Sequence, residues 1–169
     1  MKTTLRNTFD ISPDAYWKDI FFNHDFLERM YKEALACVSV AFLEDTGDSA
    51  QGRTRRFTFT QKLDAPGPIR KLFGETTTME ERGQFDVASK RWRFTMLPDR
   101  MADKVRITGE TWLSPVGDGK VERVDELDYA VSIFGVGGLV EKFMASATAE
   151  SFEKQVAFTR EYIRKARGG

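Results

Sequence analysis

The stretch "GVGGLVEKFMASATAESFEKQVAFTREYIRK", residues 135–165, decides the fold. Leu139, Val140, Phe143, Ala147, Phe152, Val156, Thr159 and Ile163 recur at helical spacing and make a broad apolar stripe. The pattern predicts a helix over 139–167, and about 29 residues at 1.5 Å each reach roughly 43 Å. A compact domain of this length has a radius of gyration near ~15 Å, so the helix crosses the whole molecule and its stripe needs a cover. Gly135, Gly137 and Gly138 precede it. A glycine inside a regular element costs roughly 0.5–1 kcal/mol against alanine, so a cluster of three marks a junction. Two readings stay open: a tight corner where the last strand turns onto the helix, or a corner that is also a hinge admitting a ligand.

The cover is legible upstream. "TTLRNTFDIS" alternates Leu5, Asn7, Phe9 and Ile11 against polar residues, which predicts a half-buried strand. Ser12, Pro13 and Asp14 then start a short helix, and "NHDFLERMYKEAL" restarts at Asn23 or Asp25 as a second. "ACVSVAFLED", "RTRRFTFTQKL", "TTTMEERGQFDV", "KRWRFTMLPD", "KVRITGETWLSP" and "VERVDELDYAVSIF" read as six further strands. "DAPGPIRKLFGE" interrupts them as a proline loop with room for one helical turn. Strands adjacent in sequence and tightly joined make an antiparallel sheet. The expected fold is α+β: a curved antiparallel sheet of six to seven strands gripping one long C-terminal helix, with two short helices after the first strand.

Composition narrows the function classes. The chain has 169 residues, read as one domain over 1–169, with 26 basic and 26 acidic side chains. That balance gives no field favouring nucleic acid, and no exposed strand face combines arginines with base-stacking aromatics. The single Cys37 forms no internal disulfide, and no signal-like or membrane-spanning apolar run occurs; a cytoplasmic protein is expected. One histidine, His24, and one cysteine are too few for a zinc site. No nucleophile elbow or phosphate loop occurs, and "GVGG" lacks the dinucleotide fingerprint. No metal, cofactor or catalytic residue is assigned.

The order of elements resembles the START-like superfamily, also called SRPBCC or Bet v 1-like, with its helix-grip fold. "FDISPDAYWKDIFFNHDFLERMYKE" is similar to that family's first strand and paired short helices. "RTRRFTFTQKLDAPGPIRKLFGETTTMEE" resembles the DUF2505 branch, and also the VASt sterol-binding domains of eukaryotic membrane-contact proteins. "GVGGLVEKFMASATAESFEKQVAFTREYIRK" matches their closing glycines and long helix. The resemblance implies an internal cavity between sheet and helix that takes an apolar molecule such as a lipid, sterol or polyketide-like compound.

Strand parity names the candidate lining: Phe57, Phe59, Glu81, Phe85, Trp92, Phe94, Met96, Ile107, Tyr129, Val131 and Ile133 from the sheet, with Phe143 and Ala147 from the helix. The same residues also suit an ordinary packed core. Asn7, Gln61, Glu81, Thr111, Arg123 and Asp125 fall on apolar faces, so each needs a partner or a place at a sheet end. Glu81 and Tyr129 are the candidates to orient a ligand hydroxyl or carbonyl. The cavity mouth is expected at Pro68, Ile69, Leu72, Gly135, Gly137 and Gly138, where basic Arg70 and Lys71 would allow transient membrane contact. Arg53, Arg55 and Arg56 read as a solvated strand face. Three functions follow: binding or transfer of an apolar ligand, cyclase- or dehydratase-like chemistry on a cavity-bound ketone, and a co-chaperone-like interaction module with a filled core. The first is favoured over catalysis. The ligand and the oligomeric state are left open.

Overall fold

The computed structural model describes residues 1–168. Seven strands form one antiparallel sheet in the order β1-β7-β6-β5-β4-β3-β2: β1 Lys2–Phe9, β2 Ser39–Asp48, β3 Gly52–Lys62, β4 Thr76–Asp86, β5 Arg91–Pro98, β6 Val105–Pro115 and β7 Val121–Val131. Strands β2 to β7 are a meander, each paired with its sequence neighbour. Strand β1 joins the far side of β7, with Lys2 opposite Asp128 and Phe9 opposite Val121. The chain must therefore travel from one sheet edge to the other between β1 and β2.

Two helices make that journey. In α1, residues 13–21, the turn Pro13–Ala15 is capped by Ser12 and runs into a wider π-helical segment, Tyr16–Phe21. In α2, residues 24–34, His24–Arg29 is capped by Asn23, whose side chain accepts from the Phe26 amide at 3.1 Å, and Met30–Ala34 is again π-helical. Such a cap stabilises by about 1 kcal/mol. The widened turns bring Tyr16, Trp17, Ile20 and Phe21 together against the sheet. Trp17, Phe21 and Phe22 meet Phe85 and Trp92 in edge-to-face contacts that close one end of the sheet.

Strand parity survives from β3 to β7; a register shift falls in β2, between Phe42 and Glu44. Glycine at 83 is required by a close approach: the Trp92 ring lies over it, and a Cβ there would overlap the indole. Phe94 covers Gly109 in the same way.

The proline loop holds more structure than one turn. Helix α3, Gly67–Phe73, buries Ile69 and Phe73 against Val105 and Val140. The glycine corner also differs from expectation. Gly135 alone of the three adopts a left-handed conformation, φ 81°, whereas Gly137 and Gly138 are the first residues of α4, Gly137–Ala166. The helix thus starts two residues before the periodic stripe does. Gly138 has open space where a Cβ would go. Gly138→Ala should raise stability by about 0.5 kcal/mol, and Gly135→Ala should lower it by about 1–2 kcal/mol. Thermal melts of the two variants check the contrast.

Helix α4 buries Val140 near its start and Phe152, Val156, Thr159 and Ile163 in its second half. Phe158 and Tyr162 pack on Phe26 of α2 and fix that half. Between Val140 and Phe152 no residue is fully buried.

Candidate functional site

That middle segment explains where space is left. Residues 145–151 read Ala-Ser-Ala-Thr-Ala-Glu-Ser; Glu150 is exposed, and the other side chains are too short to fill the gap to the sheet. A cavity of about 510 Å³ lies beneath it, within the usual range of small-molecule sites. Phe59, Met79, Phe94, Met96 and Ile107 form its sheet wall, Ile20, Phe26, Leu27 and Met30 its helical end, and Phe143, Ala147 and Phe152 its roof. Lys62, Asp64, Ser146, Glu150 and Lys154 also line it and keep contact with solvent, so it opens between the end of β3 and the middle of α4.

Of the expected lining, Phe59, Glu81, Trp92, Phe94, Met96, Ile107, Phe143 and Ala147 border this space. The others lie elsewhere. Phe57 is buried between Tyr31 and Phe42, and Phe85 between Trp17 and Phe22. Tyr129 is buried in the main core, outside the cavity wall, with its hydroxyl unpartnered. Val131 and Ile133 join the smaller cluster around Ile69. Among the residues expected at the mouth, Ile69 is a buried wall residue, and Pro68, Leu72, Gly135, Gly137 and Gly138 do not border the cavity.

The cavity is not uniformly apolar. Arg55, Glu81, Trp92, Thr111, Arg123, Asp125, Tyr16 and Tyr31 all contribute to its wall. The solvated-face reading of Arg55 fails. Alternation on β3 sets 53, 55, 57 and 59 on one face, and Arg55 is only 2% exposed. Its Nη1 donates to the Phe21 carbonyl at 2.7 Å, and its guanidinium lies 5.0 Å from the centre of the Trp92 ring. Arg53 forks onto Asp45, which also holds His24 stacked on Phe42. Only Arg56 points outward, to Glu80.

Two acid–base pairs result, and they differ. Asp125 is saturated: Arg123 Nε and Nη2 donate to it at 2.8 and 2.9 Å, and Thr111 Oγ1 at 2.6 Å. Arg123 Nη1 also donates to the Tyr16 hydroxyl at 3.1 Å. Glu81, by contrast, accepts from Trp92 Nε1 at 3.2 Å and stands 3.7 Å from Arg55 Nη2, too far for a hydrogen bond. Burial raises the Glu81 carboxyl above its ordinary value, outweighing the opposing pull of Arg55 and Trp92. A carboxyl raised on folding weakens the fold as pH climbs above the unfolded value of about 4.3, until the folded value is passed. Glu81→Gln removes that penalty. Its melting temperature relative to the parent should therefore climb as the pH rises above about 4.3, which a series of melts checks.

Among the described residues, no three His, Cys, Asp or Glu side chains converge to hold a metal ion. No described helix is long and apolar enough to cross a membrane.

The profile of a family described as "Protein of unknown function (DUF2505)" matches residues 4–163. Among curated proteins none matches in sequence. Solved structures share the fold over nearly the whole chain. TTHA0849 from Thermus thermophilus is 19% identical with a TM-score of 0.69, covering 98% of this chain and 99% of that one. The Zhui aromatase/cyclase from Streptomyces sp. R1128 is 11% identical at 0.69, covering 98% and 94%. A START superfamily protein from Mycobacterium smegmatis is 12% identical at 0.65, covering 96% and 98%. With seven antiparallel strands gripping one long helix, the fold it shares with these structures, the chain belongs to the DUF2505 family.

Proposed function

We propose that the protein binds, and in transfer releases, a largely apolar small molecule such as a lipid or sterol in the cavity under α4. The observation that carries this reading is the space of about 510 Å³ beneath the small-residue segment of the helix, with apolar walls, a buried polar end around Arg55, Glu81, Arg123 and Asp125, and a charged mouth. A filled-core interaction module would lack that space. Contact with a membrane during transfer falls to Phe134 and Leu139, which are exposed, since Ile69 and Phe73 are buried. Solvent extraction of the purified protein with mass spectrometry, and titration with a neutral fluorescent apolar probe, test the reading. A protein that carries nothing and binds no probe would sink it.

A second reading, chemistry on a cavity-bound ketone, is favoured by Glu81 in particular. A carboxyl whose proton affinity is raised by burial, beside open space, suits general acid–base work. The likeness to an aromatase/cyclase fold is compatible with it. Incubation with a linear poly-β-ketone, with and without Glu81→Gln, separates the two: ring formation lost in the variant supports catalysis, and no turnover by the parent leaves binding alone.

A further inference from the structure

The two buried arginines of the cavity are not equivalent. Arg123 has Asp125 and Tyr16 as partners and offers a ligand little. Arg55 keeps donors in reserve: its Nε has no hydrogen-bond partner although the side chain is almost wholly buried, and its Nη2 reaches Glu81 only at 3.7 Å. An unmet guanidinium donor in such a place costs free energy unless something occupies it. The neighbours that border both Arg55 and the cavity include Phe21, Glu81 and Trp92. Two of them are aromatic and accept no strong hydrogen bond in plane. The remaining one, Glu81, is the member of the pair that burial pushes towards its neutral form.

We propose that Arg55 is the anchor for the ligand's polar end, and that this end is a carboxylate: the cavity takes a monocarboxylic acid with a long apolar body. The inference rests on the binding reading above and names the class of ligand. A carboxylate presents two oxygens to the guanidinium fork, which an alcohol or ketone does not. Its arrival would place a second acid beside Glu81. The other charged and titratable groups that act on Glu81 or Arg55 are Arg123 and Asp125 from β7, Tyr31 from α2, and Arg53 and Asp45 at the sheet edge. Asp125 and Asp45 are already held by Arg123 and by Arg53 with His24. Glu81 is therefore the one acid of this group that no arginine holds by a hydrogen bond, and the one a ligand carboxylate would meet at Arg55.

The test uses the full chain at about pH 7 and the neutral fluorophore N-phenylnaphthylamine, displaced by dodecanoate or by dodecanol. The parent should bind dodecanoate about tenfold or more tightly than dodecanol. Arg55→Gln should bring the two within about threefold, and Arg55→Lys should keep part of the preference. Glu81→Gln, which removes the neighbouring acid and leaves Arg55 in place, should bind dodecanoate at least as tightly as the parent. Equal affinity for acid and alcohol in the parent overturns the proposal, and so does a preference that persists in Arg55→Gln. Should Arg55→Gln not fold, Arg55→Lys decides: a preference for the acid undiminished from the parent's overturns it. Failure of the parent to bind the fluorophore or either competitor overturns the binding reading itself, and the carboxylate anchor with it.

Discussion

Replacing Arg123 with leucine should destabilise the protein by about 3–5 kcal/mol. Asp125 is 4% exposed and receives two of its three side-chain hydrogen bonds from Arg123. Leucine leaves that carboxylate buried with only the Thr111 hydroxyl, and strips the Tyr16 hydroxyl of its donor as well. Domains of this kind have a total stability of about 5–15 kcal/mol, so the melting temperature should fall by roughly 10 °C or more. The cause is the orphaned charge rather than lost packing, and a second variant separates these. Arg123→Leu combined with Asp125→Leu removes both charges and should recover at least half of the loss, because exchanging a whole buried pair for apolar groups is often near neutral. A double variant that melts as low as the single one would show that shape, not charge, is what Arg123 supplies. Circular dichroism melts of the three proteins decide it.

The second large effect is on binding, with the fold intact. Ala147 sits in the roof of the cavity at the middle of α4, where the helix stands off the sheet. Ala147→Phe directs a ring into the space without breaking a hydrogen bond. Filling a void restores contacts that its lining lacks, so the melting temperature should hold or rise. Affinity for a neutral apolar probe should drop by about 100-fold, equivalent to roughly 2.7 kcal/mol of binding free energy. A destabilising Phe variant would point to overpacking. An unchanged affinity in a stable variant would place the ligand outside this cavity.

Much of the architecture is readable in the chain because its two periodicities are clean. Period-two alternation in β3 through β7 is uninterrupted, so parity sorts the two faces of the sheet and the strand bounds fall within a few residues. The long helix is equally plain, apart from its two leading glycines. The cavity is harder to read, for a physical reason. Alanine and serine are unremarkable in a helix, so residues 145–151 give no warning that their shortness opens a space. Arg55 misleads for the opposite reason: three arginines in four positions look like a wet surface, yet alternation alone sets the middle one beside Phe57. Parity also cannot say how deep along a strand the space extends. Tyr129 and Phe85 share a face with Glu81 and Trp92 but lie beyond the open region. The widened turns of α1 and α2 have no signature in residue types, although they bring Tyr16 and Phe21 to the polar end.

The edge-to-edge route of the chain has a consequence for the order of assembly. Strands β2 to β7 can pair one after another across short connections, each closing a small loop. Strand β1 cannot. It must find β7, Lys2 against Asp128, and α1 is laid across the sheet only when that long closure is made. Tyr16, Ile20 and Phe21 arrive with it, so the polar end of the cavity, whose charged residues lie on β3, β4 and β7, is left uncovered in the meander alone. The cavity is thus closed by the longest-range strand pairing of the chain, and its closure should report that the sheet is complete.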